Sequence, residues 1–166
     1  MPKILKLLTH ADPQVSLHAN TPNVQSTIIR AVVPRGLAWV IPGTFPWVLK
    51  LQRQDGSEIS PESKLYFYIR TPAEPDRLWP VGHRILYYPW AELSLDKQMD
   101  EDYRTAITIN LGLDILPLAE EEELIIQCIS PHAIDSSRIR FYIPYYERTS
   151  VEVNDELMYR ASILRV

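Results

Sequence analysis

Short apolar segments recur along most of the chain, and in several of them apolar and polar residues alternate one by one. In residues 64–70, for example, leucine, phenylalanine and isoleucine alternate with two tyrosines and an arginine. This period of two is typical of a β-strand with one buried face, and β-branched and aromatic residues favour strands. The pattern predicts strands at 25–33, 37–41, 47–54, 64–70, 84–88, 104–111, 124–129 and 138–143.

Fourteen prolines separate these segments and leave only 90–116 and 145–166 free for a long helix. Asp55-Gly56 is a good tight-turn pair between two of the predicted strands, because glycine tolerates positive φ. Many short strands without a strong helix are typical of a sandwich, a jelly roll or a barrel. We expect a single all-β domain over residues 25–166, either jelly-roll-like or a β-sandwich.

The two ends of the chain differ from this middle part. Residues 1–24 contain three prolines and only a brief apolar stretch, which favours an extended N-terminal arm, ordered only where it lies along its own domain or a partner. Residues 155–166 match a strand or a helix, and the strand is favoured. Residues 90–103 have no clear period, which indicates a short helix or an acidic loop.

Composition and charge then remove several classes of function. Seventeen basic and twenty-one acidic residues give a formal charge of −4, which argues against general nucleic-acid binding. No segment approaches the length of a membrane-spanning helix, and the N-terminus does not match a signal peptide. One cysteine excludes an intrachain disulfide. We therefore expect no nucleic-acid partner and no membrane partner.

No catalytic or metal-binding motif is present either. The four histidines are far apart in sequence, and Cys128 lies in an apolar run typical of a core. Residues 96–102 are acidic but lack the glycine and distal glutamate of a calcium loop. Residues 120–123 are expected to form a charged loop or the first turn of a helix. We expect no cofactor, no metal and no enzymatic activity. An all-β enzyme of the cupin type is the weakest of three hypotheses.

Arginine and aromatic residues are the features that favour a protein interface. The chain has twelve arginines against five lysines, and interfaces are enriched in arginine, tyrosine and tryptophan. The predicted interface consists of Leu5, Leu7, Leu8, Trp79, Arg84, Tyr87, Tyr88, Trp90, Tyr145 and Tyr146. The aromatic residues could instead fill the core. In a carbohydrate-binding or receptor-binding module, the two tryptophans of this set would stack on sugar rings.

Two segments resemble parts of known virion proteins. Residues 42–61, with the Asp55-Gly56 turn, resemble a strand–turn–strand unit of small all-β virion domains of tailed bacteriophages. Residues 116–144 are similar to the closing strands of capsid cement (decoration) proteins. The resemblance implies a non-enzymatic structural protein, typically a homotrimer, that binds the major capsid protein on the outer surface of the capsid. Such a protein would be made in the host cytoplasm, and no catalytic residues are implied.

Overall fold

The computed structural model describes residues 5–43, 47–57, 63–80, 86–87, 106–109, 115–149 and 157. Within these residues nearly all regular structure is β, which confirms the predicted fold class; a 3-10 turn lies at Ser136–Arg138, and Leu157 has a helical backbone. The strands are β1 (Leu5–Thr9), β2 (Val15–Leu17), β3 (Ser26–Val32), β4 (Leu37–Pro42), β5 (Trp47–Lys50), β6 (Lys64–Arg70), β7 (Trp79–Pro80), β8 (Leu86–Tyr87), β9 (Ala106–Ile109), β10 (Ile115–Leu118), β11 (Glu123–Ile129) and β12 (Arg140–Thr149).

The first sheet, sheet A, is built around the long strand β12. On one edge of β12, β5 pairs with its beginning and β4 with its end, while β1 occupies the opposite edge. In the next row of the sheet, β10 pairs with β4 and β9 pairs with β5. Sheet A therefore has four rows, in the order β9/β10, β5/β4, β12 and β1. The two rows on the β9 side are each interrupted once.

The second sheet, sheet B, has the order β2, β3, β11, β6 and β7. β8 pairs with the beginning of β6 on the same edge as β7, so that these two short strands form one interrupted row. All the pairings in both sheets are antiparallel. The ladder between β11 and β3 contains an irregularity between Ile126 and Gln127.

The order of the rows identifies the type of sandwich. We set aside β2 and count each interrupted row as one strand, which gives eight rows along the chain. Sheet A then reads 1-8-3-6 and sheet B reads 2-7-4-5. Rows from the first half of the chain thus pair with rows from the second half, as in a rolled-up hairpin. This is the two-sheet arrangement of a jelly roll.

The core lies between the two sheets and follows from the alternation of each strand. On β6 the residues Leu65, Phe67 and Ile69 are buried, while the residues between them are partly exposed. On β12 the side chains of Phe141 and Ile143 are buried in the same cluster. The Asp55-Gly56 turn is also confirmed, since Gly56 has φ of +84° and donates its N–H to the carbonyl oxygen of Arg53 at 2.9 Å.

Prolines do not all end strands, although the sequence pattern places them between the predicted strands. Pro144 lies in the middle of β12, which continues to Thr149, six residues past its predicted end. Pro144 falls between the stretches of β12 that pair with β5 and β4, so the row beside it is interrupted there. Pro80 and Pro117 lie in β7 and β10, which are outermost strands of their sheets. A missing N–H is tolerated at such breaks and edges.

The N-terminal segment contributes one strand to each sheet. β1 pairs with β12 in sheet A, and β2 pairs with β3 in sheet B. Residues 5–24 therefore lie along the chain's own sandwich, and the division into an arm and a domain at residue 24 stays a prediction. The predictions for 90–103, and for all of 155–166 except Leu157, fall outside the described residues. Leu157 itself has a helical backbone and packs on Ala38 and Val40. No described helix has the length and apolar character needed to cross a membrane.

Candidate functional site

The outward face of sheet A carries an exposed apolar patch where β1 lies beside β12. In this ladder Leu5 is opposite Tyr146, Leu7 is opposite Pro144, and Thr9 is opposite Tyr142. Leu8, between Leu7 and Thr9, points into the core, so by alternation these positions share the outer face. The exposed fractions of Leu5, Leu7 and Tyr142 are 43%, 50% and 41%. We call the group Leu5, Leu7, Tyr142, Pro144 and Tyr146 the outer patch.

The apolar character of this face continues onto β4. Ala38 and Val40 face outward, opposite Arg148 and Tyr146 of β12, yet their exposed fractions are only 0% and 7%. They are covered by side chains of the same chain, namely Ile115, Tyr146 and Leu157. The chain thus buries one end of the outward face of sheet A with its own residues and leaves the β1 end open to solvent.

β1 is also an edge strand, since β12 is its one partner among the described residues. An edge strand offers unpaired backbone groups to another chain, and lysine on such a strand opposes unwanted pairing. Lys6 lies between the two exposed leucines and donates a hydrogen bond of 2.7 Å to Glu147, which raises the pKa of Lys6. The edge is therefore partly blocked by a charge pair, while the apolar face beside it stays open.

Three of the predicted interface residues lie in the outer patch: Leu5, Leu7 and Tyr146. Leu8 points the other way and is 1% exposed in the core. Tyr145 also faces inward, where its ring packs on Trp39 with 5.2 Å between centroids, and burial raises its pKa. The alternation of β12 explains this division, since neighbouring tyrosines on a strand point to opposite faces.

The remaining predicted interface residues lie away from the outer patch or outside the described part of the chain. Trp79 is partly buried against the core, and the guanidinium of Arg77 covers its ring at 3.5 Å. Trp79 is therefore not an open stacking platform. The backbone of Tyr87 belongs to β8 in sheet B. Arg84, Tyr88 and Trp90 lie outside the described residues.

Sequence reasoning missed Tyr142 and Pro144 as members of the site. The signal for Tyr142 was available, because it alternates with the apolar residues Phe141 and Ile143 and so had to face outward. The sequence pattern predicts a strand end before Pro144, whereas β12 continues through it and carries the same face on to Tyr146. The pairing of β12 with β1 has no signal in one sequence, since about 140 residues separate the two strands.

His10 lies at the margin of the outer patch, directly after β1. Its ring meets that of Tyr142 edge-on, with 6.1 Å between centroids and 85° between planes. Burial lowers the pKa of His10, and the nearby positive charge of Arg140 lowers it further, against smaller opposing effects of the Phe141 backbone and Asp12. Folding therefore disfavours the protonated form of this imidazole.

This arrangement predicts a component of stability that depends on pH. Because the folded pKa of His10 lies below the ordinary value of 6.5, the unfolded chain binds more protons in that range. We expect stability to fall as the pH drops from 7.5 to 5, and His10→Gln to flatten this slope when the unfolding midpoint is measured. His18 is exposed, so His18→Gln controls for the loss of an imidazole. An equal slope in wild type and His10→Gln would contradict the prediction.

The acidic run 120–123 has specific partners, and the expectation of a plain charged loop is incomplete. Glu120 accepts a hydrogen bond of 2.7 Å from the N–H of Gly36, and Glu121 pairs with Arg35 at 3.0 Å. Glu122 accepts a bond of 2.7 Å from the N–H of Ala119 and so closes the turn before β11. These contacts join the turn to the loop between β3 and β4.

Glu123, the last residue of this run, lies on the outward face of sheet B between two arginines. Arg30 on β3 and Arg70 on β6 both donate to its carboxylate, whose side chain is only 9% exposed. Burial pushes the pKa of Glu123 up, but the hydrogen bonds from Arg70 and Arg30 outweigh this effect and hold the pKa below its ordinary value of 4.5. The three side chains tie three neighbouring strands together.

The described residues contain no obvious centre for metal or nucleophilic chemistry. No three or more His, Cys, Asp or Glu side chains come together among them in a way that could hold a metal ion. Cys128 is fully buried in sheet B, and burial raises the pKa of its thiol to about 12. A thiol with this pKa stays protonated at neutral pH and is a poor nucleophile.

Comparison with known proteins gives a likeness to solved structures but no match in sequence. No protein-family model matches the chain, and no curated protein matches it in sequence. Among solved structures, the chain is similar to VP17, a capsid protein of bacteriophage P23-77. The TM-score is 0.48 at 8% identity, over 90% of this chain and 97% of that one.

Proposed function

We propose that this protein is a non-enzymatic structural component of a virion, acting through contacts with other proteins. The outer patch carries the proposal: two exposed leucines of the edge strand β1 and a tyrosine of β12 lie together on the outward face of sheet A. Contiguous exposed apolar patches on soluble domains mark interaction sites. The jelly roll is a fold of viral capsid proteins, but also of lectins and cupins, so the fold alone does not decide the function.

In its finer form, the proposal is a capsid cement or decoration protein. The chain would form a homo-oligomer, with a trimer expected, and would bind the major capsid protein on the outer surface of the capsid. It would be made in the host cytoplasm. Many copies on one shell add weak contacts together, so that a small patch on each copy is sufficient. Leu5 and Leu7 would contribute through their outward side chains while the backbone of β1 stays in sheet A.

The double substitution Leu5→Asp with Leu7→Asp tests the role of the outer patch. Burial of a leucine side chain contributes about 1.5–3 kcal/mol, so loss of both is expected to weaken self-association by about 100-fold or more. Light scattering after gel filtration measures the mass of wild type and variant over a range of concentrations, and circular dichroism checks the fold. Val24→Asp is the matched control, because Val24 is 52% exposed and lies outside the patch.

Three results would count against the proposal. A wild-type monomer at all concentrations would remove the homo-oligomer, and an equal mass of wild type and double variant would remove the patch as its interface. The cement role is tested by co-sedimentation with assembled shells of the major capsid protein. Binding by wild type and Val24→Asp but not by the double variant is expected, and failure of the wild type to sediment would overturn the cement role.

A further inference from the structure

The outward face of sheet B differs in chemistry from that of sheet A and carries a pair of aligned tyrosines. Tyr66 and Tyr68 stand two residues apart on β6, with their rings parallel within 4° and their centroids 6.4 Å apart. They lie opposite Gln127 and Ile125 of β11, and both are partly exposed. This face is separate from Trp79, which faces inward.

A chain of hydrogen-bonded side chains holds Tyr68 in place across the sheet. The Nε2 of Gln25 donates to the hydroxyl oxygen of Tyr68 at 2.9 Å and to Oε1 of Gln127 at 2.7 Å. The Nε2 of Gln127 donates in turn to the hydroxyl oxygen of Thr27 at 3.1 Å. Glutamine side chains at a surface lose much rotamer freedom when they are fixed in this way. Because these side chains are already ordered, a ligand that binds to this face costs them little further conformational entropy.

The charge of this face is opposite to that of the chain as a whole. The outward side chains of β3, β11 and β6 include three cations and one carboxylate: Arg30, Lys64, Arg70 and Glu123. Asp76, in the loop after β6, adds a second carboxylate that acts on Arg70, so these five side chains sum to a charge of +1. The side chains of Arg30 and Arg70 are 44% and 30% exposed even while they bind Glu123. The whole chain has a formal charge of −4. A basic face on an acidic protein attracts an anionic ligand.

We propose that the face formed by Tyr66, Tyr68, Gln25 and Gln127 binds an acidic saccharide. Aromatic side chains offer apolar surface with a polar tip, which suits the C–H faces and hydroxyl groups of a sugar ring. The Gln25 amide oxygen and the second N–H of Gln127, which the network does not use, offer an acceptor and a donor to sugar hydroxyls. Arg70, next along β6, is placed to meet a carboxylate. Polar groups and the scarcity of exposed aliphatic residues favour a sugar over a protein here, and the site lies on the sheet opposite to the outer patch.

Three oligosaccharides serve as probes: hexagalacturonate, a hyaluronan hexasaccharide and the neutral cellohexaose. Titration calorimetry of the full chain is expected to show binding of at least one acidic probe, weakening with salt, and at least tenfold weaker binding of cellohexaose. Tyr68→Ala is expected to reduce binding tenfold or more, while Tyr68→Phe keeps the ring and stays within about threefold. Tyr142→Ala, on the opposite sheet, is the matched control and is expected to bind as wild type does.

The possible contrary outcomes are distinct. Absence of binding of both acidic probes at millimolar concentration would overturn the proposal, as would unchanged binding by Tyr68→Ala. Preference for cellohexaose would remove the acidic specificity, and capture of a protein through this face with no saccharide binding would assign it to protein recognition. The proposed interface on sheet A uses other residues. The results for saccharide binding therefore do not decide the outcome of the self-association test.

Discussion

Leu8→Ala is expected to lower the free energy of unfolding by about 3 kcal/mol, within the usual range for a leucine removed from a core. Leu8 is the residue of β1 that enters the core, where it is 1% exposed, opposite Ile143 of β12. Its removal leaves a cavity between the sheets, and the neighbouring strands close it only in part. Urea unfolding followed by tryptophan fluorescence measures the loss.

Leu7→Ala is the matched control, since it removes the same atoms from the adjacent position on the solvent side. Leu7 is 50% exposed, so the change is expected to stay within about 0.5 kcal/mol at a concentration where the protein is monomeric. A loss below about 0.5 kcal/mol for Leu8→Ala as well would mean that β1 is not held by the sandwich. It would favour a detachable arm at the N-terminus.

Glu123→Gln is expected to destabilise the fold by about 2 kcal/mol at pH 7, because hydrogen bonds to charged groups contribute about 1.5–3 kcal/mol. The substitution keeps the shape of the side chain but removes the charge that both Arg30 and Arg70 contact. Glu121→Gln is the control, because Glu121 and Arg35 form an exposed pair, with side chains 45% and 84% exposed. Exposed pairs contribute about 0–1 kcal/mol.

The contribution of Glu123 also has a defined pH dependence. Its folded pKa is below the ordinary 4.5, so the carboxylate stabilises the fold above that value, and this stability is lost as the pH falls through the folded pKa. The difference in unfolding free energy between wild type and Glu123→Gln is therefore expected to be full at pH 6 and to shrink toward pH 3. A difference that stays constant over this range would show that the charge is not what stabilises the contact.

The strands could be predicted from the sequence because burial imposes alternation on each strand separately. β6 begins and ends where the alternation of 64–70 begins and ends, and β11 begins one residue before its predicted start and ends where predicted. β4 and β5 form one interrupted row of sheet A, and the pattern predicts them as two separate segments. The pairing of β1 with β12 could not be predicted, since nothing in the sequence of 5–9 or of 142–146 specifies that these two segments pair.

The candidate site shows the same limit. Leu5 and Leu7 were predicted from their apolar character alone, but the outer patch exists because β12 places Tyr142 and Pro144 beside them. The sequence predicts sugar stacking only as an alternative function and places it at Trp79 and Trp90, not at Tyr66 and Tyr68. Tyr66 and Tyr68 were assigned to the polar face of their strand, and their alignment with Gln25 and Gln127 depends on two ladders of sheet B.

The pairing of the first described strand with the last has a mechanical consequence. Leu5 lies opposite Tyr146, so the chain enters β1 and leaves β12 at the same end of this ladder. A force applied between Leu5 and Thr149 would therefore break the backbone hydrogen bonds of this ladder one after another, and each step needs little force. Load applied across the faces of the two sheets would instead act on the packed core as a whole. A protein of this shape withstands tension best when neighbours hold it by its faces.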